Sequence, residues 1–206
     1  LQLSGMAHLR FDAVGCQLTR AAAVTVDAGA FGKGEALRRL VRMQDALPAR
    51  WMVDLGGQLA VSGAPVGGWE VAIAHPMRRA ETAAFLTLDS GSLATSGVSE
   101  RSYAIEGGLV THILDPKTGR PLYRPGSVTL WHEDALTADI LSTALYVLGP
   151  EAGLRYADKH RLAALFLDPA GEAADAAVTL RESRAFRQRF QGVSRDGLGG
   201  KEQKGH

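Results

Sequence analysis

The stretch 133-EDALTADILSTALYVLGP-150 predicts an apolar helix that has to pack on a core. Asp134 suits the N-cap, and Gly149 suits the end of the helix. Inside this apolar segment Asp139 and Thr143 are four residues apart, which places both on one helical face. An acid and a hydroxyl on such a face need an explanation.

The segments around this helix are mostly short strands joined by turns. Residues 7–26 predict a hairpin or meander, and short apolar runs such as WEVAIAH (69–75), SVTLWH (127–132) and LAALFLDP (162–169) predict further strands. Two or three helices lie between the strands. This order predicts an α+β fold, mainly an antiparallel sheet with a few packed helices, rather than a doubly wound parallel sheet.

Composition limits the function classes. The 206 residues are 46% hydrophobic and 22% charged, which is enough apolar content for a substantial core. The formal net charge of +1 gives no indication of a nucleic-acid partner. No apolar run is long enough for a transmembrane helix. The single cysteine excludes an intrachain disulfide framework and a cysteine-based zinc site.

Asp139 and Thr143 have two interpretations. Carboxylate and hydroxyl oxygens are hard ligands that suit magnesium. Alternatively, Asp139 is a solvated helix residue and Thr143 bonds back to a backbone carbonyl. Taken alone, the two residues favour the second interpretation.

Three further stretches carry candidate chemistry. DAGAFGKGEAL (27–37) is a glycine-rich turn that leads into a helix and contains Lys33, an arrangement that offers N–H groups and a cation to a phosphate. THILDPKTGRPL (111–122) places His112 on a strand just before a turn, where it suits a base. LATSGVSERSY (93–103) puts small hydroxyl residues beside a glycine. Taken alone, each stretch is better explained as an ordinary turn or strand end.

The order of these stretches resembles the ApbE family of FAD:protein FMN transferases. The resemblance runs from about residue 20 to about residue 155, and THILDPKTG and ADILSTALYVLG are its most specific parts. It implies a T-fold-like α+β domain, which we place over 1–192. Residues 193–206 lack apolar periodicity and are rich in Gly and Lys, which predicts a disordered tail. The same resemblance implies that most of the family's N-terminal portion is absent here, a portion that usually supplies part of the FAD pocket.

The resemblance also implies a site. Asp139 and Thr143 match side-chain ligands of Mg²⁺, and the carbonyl of Ala30 matches a third ligand. His112 matches a histidine proposed to activate the acceptor hydroxyl. The residues that match FAD-lining positions are Asp27, Lys33, Thr95, Ser96, Gly97 and Ile113.

The implied reaction is Mg²⁺-dependent transfer of FMN from FAD to a threonine hydroxyl of an acceptor protein, with release of AMP. The implied acceptor carries a Ser/Thr-Gly-Ala-Thr-like motif. Two alternatives stay open: an FAD pyrophosphatase that gives FMN and AMP, and a non-catalytic FAD-binding module. The family suggests a periplasmic or membrane-associated location, with the cytoplasm left open.

The sequence departs from the family pattern at two positions of DLGGQLAVSG. Asp54 and Gln58 stand where Asn or Ser, and Asp, are commoner. These changes are expected to alter hydrogen bonding near the flavin or the turn.

Overall fold

A computed structural model describes residues 5–97, 102–105, 108–171, 177–191 and 193 of the chain. Its elements follow one another as β1 (Leu9–Asp12), β2 (Gln17–Arg20), α1 (Gly32–Arg42), β3 (Trp51–Asp54), β4 (Gln58–Ser62), β5 (Trp69–Ala74), β6 (Thr82–Leu88), β7 (Gly91–Gly97), β8 (Ser102–Ile105), β9 (Gly108–Thr111), β10 (Ser127–His132), α2 (Ala135–Leu148), α3 (Pro150–His160), β11 (Ala163–Pro169), β12 (Val178–Glu182) and α4 (Arg184–Arg189).

A six-stranded antiparallel sheet forms the centre, in the order β12-β11-β10-β7-β4-β3. β11 is buried on both faces: Leu165 and Leu167 pack into one apolar cluster, whereas Ala164 and Phe166 pack into another. Successive strand residues point to opposite faces. The sheet therefore needs a layer of structure on each side.

Helices cover one face of this sheet. α2 packs on β7 and β10, α1 packs on α2 and β4, and α3 packs on α2 and β11. The β5–β6 hairpin and α4 cover the other face, with Phe186 of α4 completely buried in the cluster there. The α+β fold with a mainly antiparallel sheet is confirmed.

The helix predicted over 133–150 is present as α2. The Asp134 carboxylate accepts a hydrogen bond from the Thr137 backbone N–H at 2.8 Å, as expected of an N-cap. Burial alone would raise the pKa of Asp134, but the Thr137 hydrogen bonds and nearby positive charge outweigh it and lower the pKa. Gly149 ends the helix with a φ of 81°, a conformation that favours glycine.

The strand predicted to carry His112 ends one residue earlier, at Thr111. The Thr111 hydroxyl lies 3.1 Å from the carbonyl of Ile113 and 2.9 Å from that of Leu122, both of which accept from it. These contacts close the next turn at the strand end. His112 consequently lies on a bend rather than on the strand.

The described residues form four α-helices, against the two or three that were predicted. β12 and α4 were missed, although Val178 and Leu180 alternate with polar residues and Ser183 is a typical N-cap residue. Of the predicted tail 193–206, all but Val193 lies outside the described residues. None of the helices in the described part of the chain has the length and apolarity to cross a bilayer.

Candidate active site

One cavity, of about 240 Å³, brings together all ten residues that were predicted to form the site. The glycine-rich turn before α1, the end of β7, the bend after β9 and one face of α2 form its walls. The predicted residues that line it are Asp27, Ala30, Lys33, Thr95, Ser96, Gly97, His112, Ile113, Asp139 and Thr143. Four segments far apart in sequence therefore meet at one place.

Asp139 is the buried acid of this cavity. The residue is 3% exposed, and its Oδ2 accepts a hydrogen bond from the backbone N–H of Gly34 at 2.8 Å. The ammonium group of Lys33 lies 3.5 Å from Oδ1. The positive N-terminal end of α1 thus faces the carboxylate and stabilises its charge. The interpretation of Asp139 as a solvated helix residue is wrong.

Gly34 allows α1 to approach α2 this closely. A Cβ at this position would lie 2.7 Å from the carbonyl oxygen of Ala135 and 2.7 Å from the Cβ of Asp139. Both distances are shorter than real Cβ contacts. The glycine is therefore a packing requirement that places the first turn of α1 against Asp139.

The glycine-rich turn is held by its own hydrogen bonds. The carbonyl of Ala28 accepts from the backbone N–H groups of Phe31 at 3.1 Å and Gly32 at 2.7 Å. The Asp27 carboxylate accepts from the N–H of Gly29 at 2.7 Å, which makes an Asx-type turn. This turn carries Ala30 to the cavity wall beside Lys33.

A group of hydroxyls lies between β7 and α2. The Oγ of Ser96 is 2.9 Å from the Oγ of Ser142 and 3.2 Å from the Oγ1 of Thr143. Thr95, on the opposite face of β7, pairs with Thr129 at 2.9 Å between their hydroxyl oxygens. Ser96 and Thr143 both line the cavity, so this group forms part of its polar wall.

His112 and Ile113 enter the cavity from the bend after β9. His112 is exposed, whereas Ile113 is 7% exposed and packs in the cluster beneath α2. A backbone hydrogen bond stabilises this bend: the N–H of Leu122 donates to the carbonyl of Ile113 at 2.8 Å. The arrangement holds an imidazole where both solvent and a ligand in the cavity can reach it.

The donor set fits magnesium in kind. Within the part of the chain that the structure describes, no three His, Cys, Asp or Glu side chains group together as a metal site. Asp139 is a buried carboxylate whose ion pair with Lys33 is long, and it shares the cavity with a threonine hydroxyl and the Ala30 residue. A hard cation that keeps several waters and substrate oxygens suits one carboxylate with neutral oxygens. A zinc or iron site is not indicated by these residues.

Sequence reasoning missed Ser142 and Gly34 as parts of this site. Ser142 is wholly buried next to Thr143, and its hydroxyl donates to the carbonyl of Asp139 at 2.9 Å. A glycine in the first turn of an amphipathic helix was the available signal for Gly34, since glycine is costly there without a packing reason.

Neither of the two departures from the family pattern lines the cavity itself, but Asp54 holds the turn residue Gly56, which does. The Asp54 carboxylate accepts from the N–H of Gly56 at 2.8 Å and stabilises the β3–β4 turn. The amide nitrogen of Gln58 donates to the carbonyl of Ala135 at 2.7 Å and ties β4 to the start of α2. Gln58 is therefore a link between sheet and helix.

Comparison with known proteins places these features in a family. The model of the ApbE family matches residues 1–166. The FAD:protein FMN transferase of Haemophilus influenzae is 34% identical over 146 residues, which are 68% of this chain and 42% of that protein. The chain thus spans less than half the length of this curated relative.

Solved structures agree with the sequence match. The ApbE protein of Thermotoga maritima has a TM-score of 0.77 at 27% identity, over 90% of this chain and 60% of that one. The apo form of the Pseudomonas stutzeri flavinyl transferase ApbE has a TM-score of 0.75 at 32% identity, over 92% of this chain and 58% of that one.

Proposed function

This chain belongs to the ApbE family, and from that premise we propose that it transfers the FMN part of FAD to a threonine hydroxyl of an acceptor protein and releases AMP. The observation that carries the proposal is the convergence of ten residues, predicted from separate motifs, on one cavity. The names of the relatives, FAD:protein FMN transferase and flavinyl transferase, support the same activity.

The cavity suits the pyrophosphate of FAD better than its rings. Its volume of about 240 Å³ is below the roughly 300–1,000 Å³ of sites that enclose a whole drug-sized ligand. The lining is polar: Lys33 and the N-terminal end of α1 are positive partners for phosphate oxygens, and the Asp27 and Asp139 carboxylates would meet a phosphate through the proposed cation. Such a lining binds phosphate oxygens. We propose that the flavin and adenine extend beyond this cavity.

The proposed step is a displacement at the FMN-side phosphorus. The threonine oxygen of the acceptor forms a bond to this phosphorus, and the bond from phosphorus to the bridging oxygen breaks. The bridging oxygen leaves as part of AMP, and the hydroxyl proton passes to the imidazole of His112. Removal of that proton by a positioned base is typically worth about 10²–10⁴-fold in rate. The flavin ring undergoes no redox change.

Mg²⁺ would be held by the carboxylate of Asp139, the hydroxyl of Thr143 and the carbonyl of Ala30. When bound, it neutralises charge on the pyrophosphate and on the leaving phosphate. The chain's own contribution is to place the Asp139 carboxylate against the N-terminal end of α1 and to keep Lys33 beside it. The match to the family motifs supports this ligand set, and the buried carboxylate supports it independently.

The acceptor is proposed to present an extended segment with a Ser/Thr-Gly-Ala-Thr-like motif. The small residues of such a motif allow close approach to the bend that carries His112. His112 is exposed, so a protein segment can reach its imidazole from solvent.

The test is direct flavinylation. The chain is mixed with FAD, Mg²⁺ and an acceptor domain that carries the motif, and mass spectrometry follows the acceptor. We expect an added FMN mass that is lost with EDTA and with Asp139→Asn. We expect His112→Ala to lower the rate by about 10²-fold or more. His160→Ala, which replaces an exposed histidine at the end of α3 outside the cavity, is the matched control and should retain the wild-type rate.

Each other result has a definite meaning. AMP release without modified acceptor would identify an FAD pyrophosphatase. Bound FAD that is never cleaved with Mg²⁺ present would identify a binding module. Equal rates for His112→Ala and His160→Ala would remove His112 from the mechanism.

A further inference from the structure

We infer that Ser96 and Ser142 are positioning residues that orient the hydroxyl of Thr143 toward a bound cation. The inference rests on the proposed function, because it takes Thr143 as a ligand of Mg²⁺. It goes further by assigning a role to two serines, one of which is wholly buried and cannot touch substrate.

The three hydroxyls and one carbonyl form a continuous chain of contacts. Thr143 Oγ1 lies 3.2 Å from Ser96 Oγ, and Ser96 Oγ lies 2.9 Å from Ser142 Oγ. Ser142 Oγ lies 2.9 Å from the carbonyl oxygen of Asp139. The chain thus crosses from α2 to β7 and back, and it ends on the residue whose carboxylate is the other side-chain ligand.

Counting protons gives this chain a direction. A carbonyl oxygen only accepts, so Ser142 donates its single hydroxyl proton to the backbone carbonyl of Asp139. The Ser142 oxygen must then accept from Ser96, and this hydrogen bond uses the single hydroxyl proton of Ser96. Ser96 in turn can only accept from Thr143, so the order of donation is Thr143 to Ser96 to Ser142 to Asp139.

The direction matters for metal binding. The Thr143 hydroxyl has two contacts among the hydrogen bonds of the described residues. It lies 3.2 Å from Ser96 Oγ, to which the order above makes it the donor, and 3.4 Å from the Asp139 carbonyl, which accepts from it more weakly. With its proton directed at Ser96, its lone pairs remain for a cation in the cavity that it lines. Groups that orient a ligand in this way typically contribute 10–100-fold to metal affinity.

Burial shows why the chain is specific. Ser142 is 0% exposed and Ser96 is 8% exposed, so water competes poorly for either hydroxyl. Without Ser96, the Thr143 proton has the longer contact to the Asp139 carbonyl as its alternative within α2. This rotation of the Thr143 hydroxyl points its lone pairs in a different direction from the one that they have when the hydroxyl donates to Ser96.

The test measures metal affinity apart from catalysis. Mg²⁺ is titrated calorimetrically into the purified full chain and into Ser96→Ala and Ser142→Ala, without acceptor, and FAD affinity is measured separately without metal. We expect Mg²⁺ affinity to fall by about 10-fold in both variants. We expect the FAD affinity of Ser142→Ala to stay at the wild-type value, because Ser142 is wholly buried.

Ser92→Ala is the matched control. Ser92 lies on the same strand and the same face as Ser96, is 1% exposed, and its hydroxyl donates to the carbonyl of Leu59 at 2.7 Å. Ser92→Ala removes a buried serine hydroxyl that is not part of the hydrogen-bond chain from Thr143 to Asp139, so Mg²⁺ affinity should not change.

The outcomes separate this inference from the proposed function. Wild-type affinity in Ser96→Ala and Ser142→Ala, with binding abolished by Asp139→Asn, would overturn the inference alone. An equal loss in Ser92→Ala would also overturn it, because the effect would then be structural. If Ser96→Ala lowered FAD affinity without lowering Mg²⁺ affinity, Ser96 would be a direct FAD contact, and the inference would be overturned. No Mg²⁺ binding by the wild-type chain would overturn both the inference and the magnesium site.

Discussion

Gly34 shows how much of the site depends on one missing side chain. Glycine in a helix usually costs stability, so replacing it with alanine usually helps. Here the new Cβ would lie 2.7 Å from Asp139 Cβ and 2.8 Å from Leu136 Cα. We predict that Gly34→Ala lowers the free energy of unfolding by about 1–3 kcal/mol, as overpacking does. Urea unfolding with and without Mg²⁺ measures it, and any Mg²⁺-dependent gain should shrink as well.

The control for this prediction lies two residues earlier. A Cβ at Gly32 would meet only the Cβ of Ala28, at the ordinary distance of 3.5 Å. Gly32→Ala should therefore leave stability unchanged or slightly higher. If both variants unfold at the same urea concentration, α1 does not need a glycine against α2.

At the scale of elements, α4 depends on a single buried cap. The Ser183 hydroxyl is completely buried, donates to the carbonyl of Leu162 at 2.7 Å and accepts from the N–H of Ala164 at 3.0 Å. It also accepts from the N–H of Phe186 at 3.2 Å. We predict that Ser183→Ala costs about 1–3 kcal/mol, because buried backbone groups lose their partner. Thermal unfolding followed by circular dichroism measures the loss.

Ser90→Ala is the comparison for α4. Ser90 lies in the β6–β7 turn, and its exposed hydroxyl contacts the Asp89 carboxylate at 3.2 Å. Water replaces such a contact, so this variant should unfold close to wild type. If Ser183→Ala and Ser90→Ala lost the same amount of thermal stability, the buried cap at Ser183 would stabilise the protein no more than an exposed hydroxyl does.

At the scale of the whole molecule, the site trades stability for binding. Among the described residues, the Asp139 carboxylate is a buried group that pairs with a partly exposed lysine at 3.5 Å. Asparagine keeps an acceptor for the Gly34 N–H but removes the charge that burial disfavours. We predict that Asp139→Asn is at least as stable as wild type without Mg²⁺.

Magnesium should reverse that order. A ligand that binds only the folded chain stabilises it by about 2.7 kcal/mol at one hundred times its Kd. The wild-type chain should gain this stabilisation and Asp139→Asn should not. Melting curves without Mg²⁺ test the predicted order of stability, and melting curves with Mg²⁺ test its reversal. Equal Mg²⁺-dependent gains in the two proteins would contradict a role for Asp139 as a ligand.

Much of this architecture was predictable because it depends on local patterns. The α2 segment is apolar and capped by Asp134 and Gly149, and the short runs around it alternate with the period of strands. Order along the chain then indicated the family, and with it the residues that line the cavity. β12 and α4 were not predicted, although Val178, Leu180 and Ser183 carry local signals for a strand and a helix N-cap.

Other features depend on contacts between distant segments, which no local pattern encodes. The sequence alone was sufficient for the fold class and the capped helix α2, since periodicity and capping are local, and its resemblance to the family indicated the candidate residues that line the cavity. Only the tertiary structure decided that Asp139 is buried against the N-terminal end of α1, and that Ser96 and Ser142 link β7 to Thr143. The reason is physical: burial and hydrogen-bond direction arise only when β7, α1 and α2 pack together.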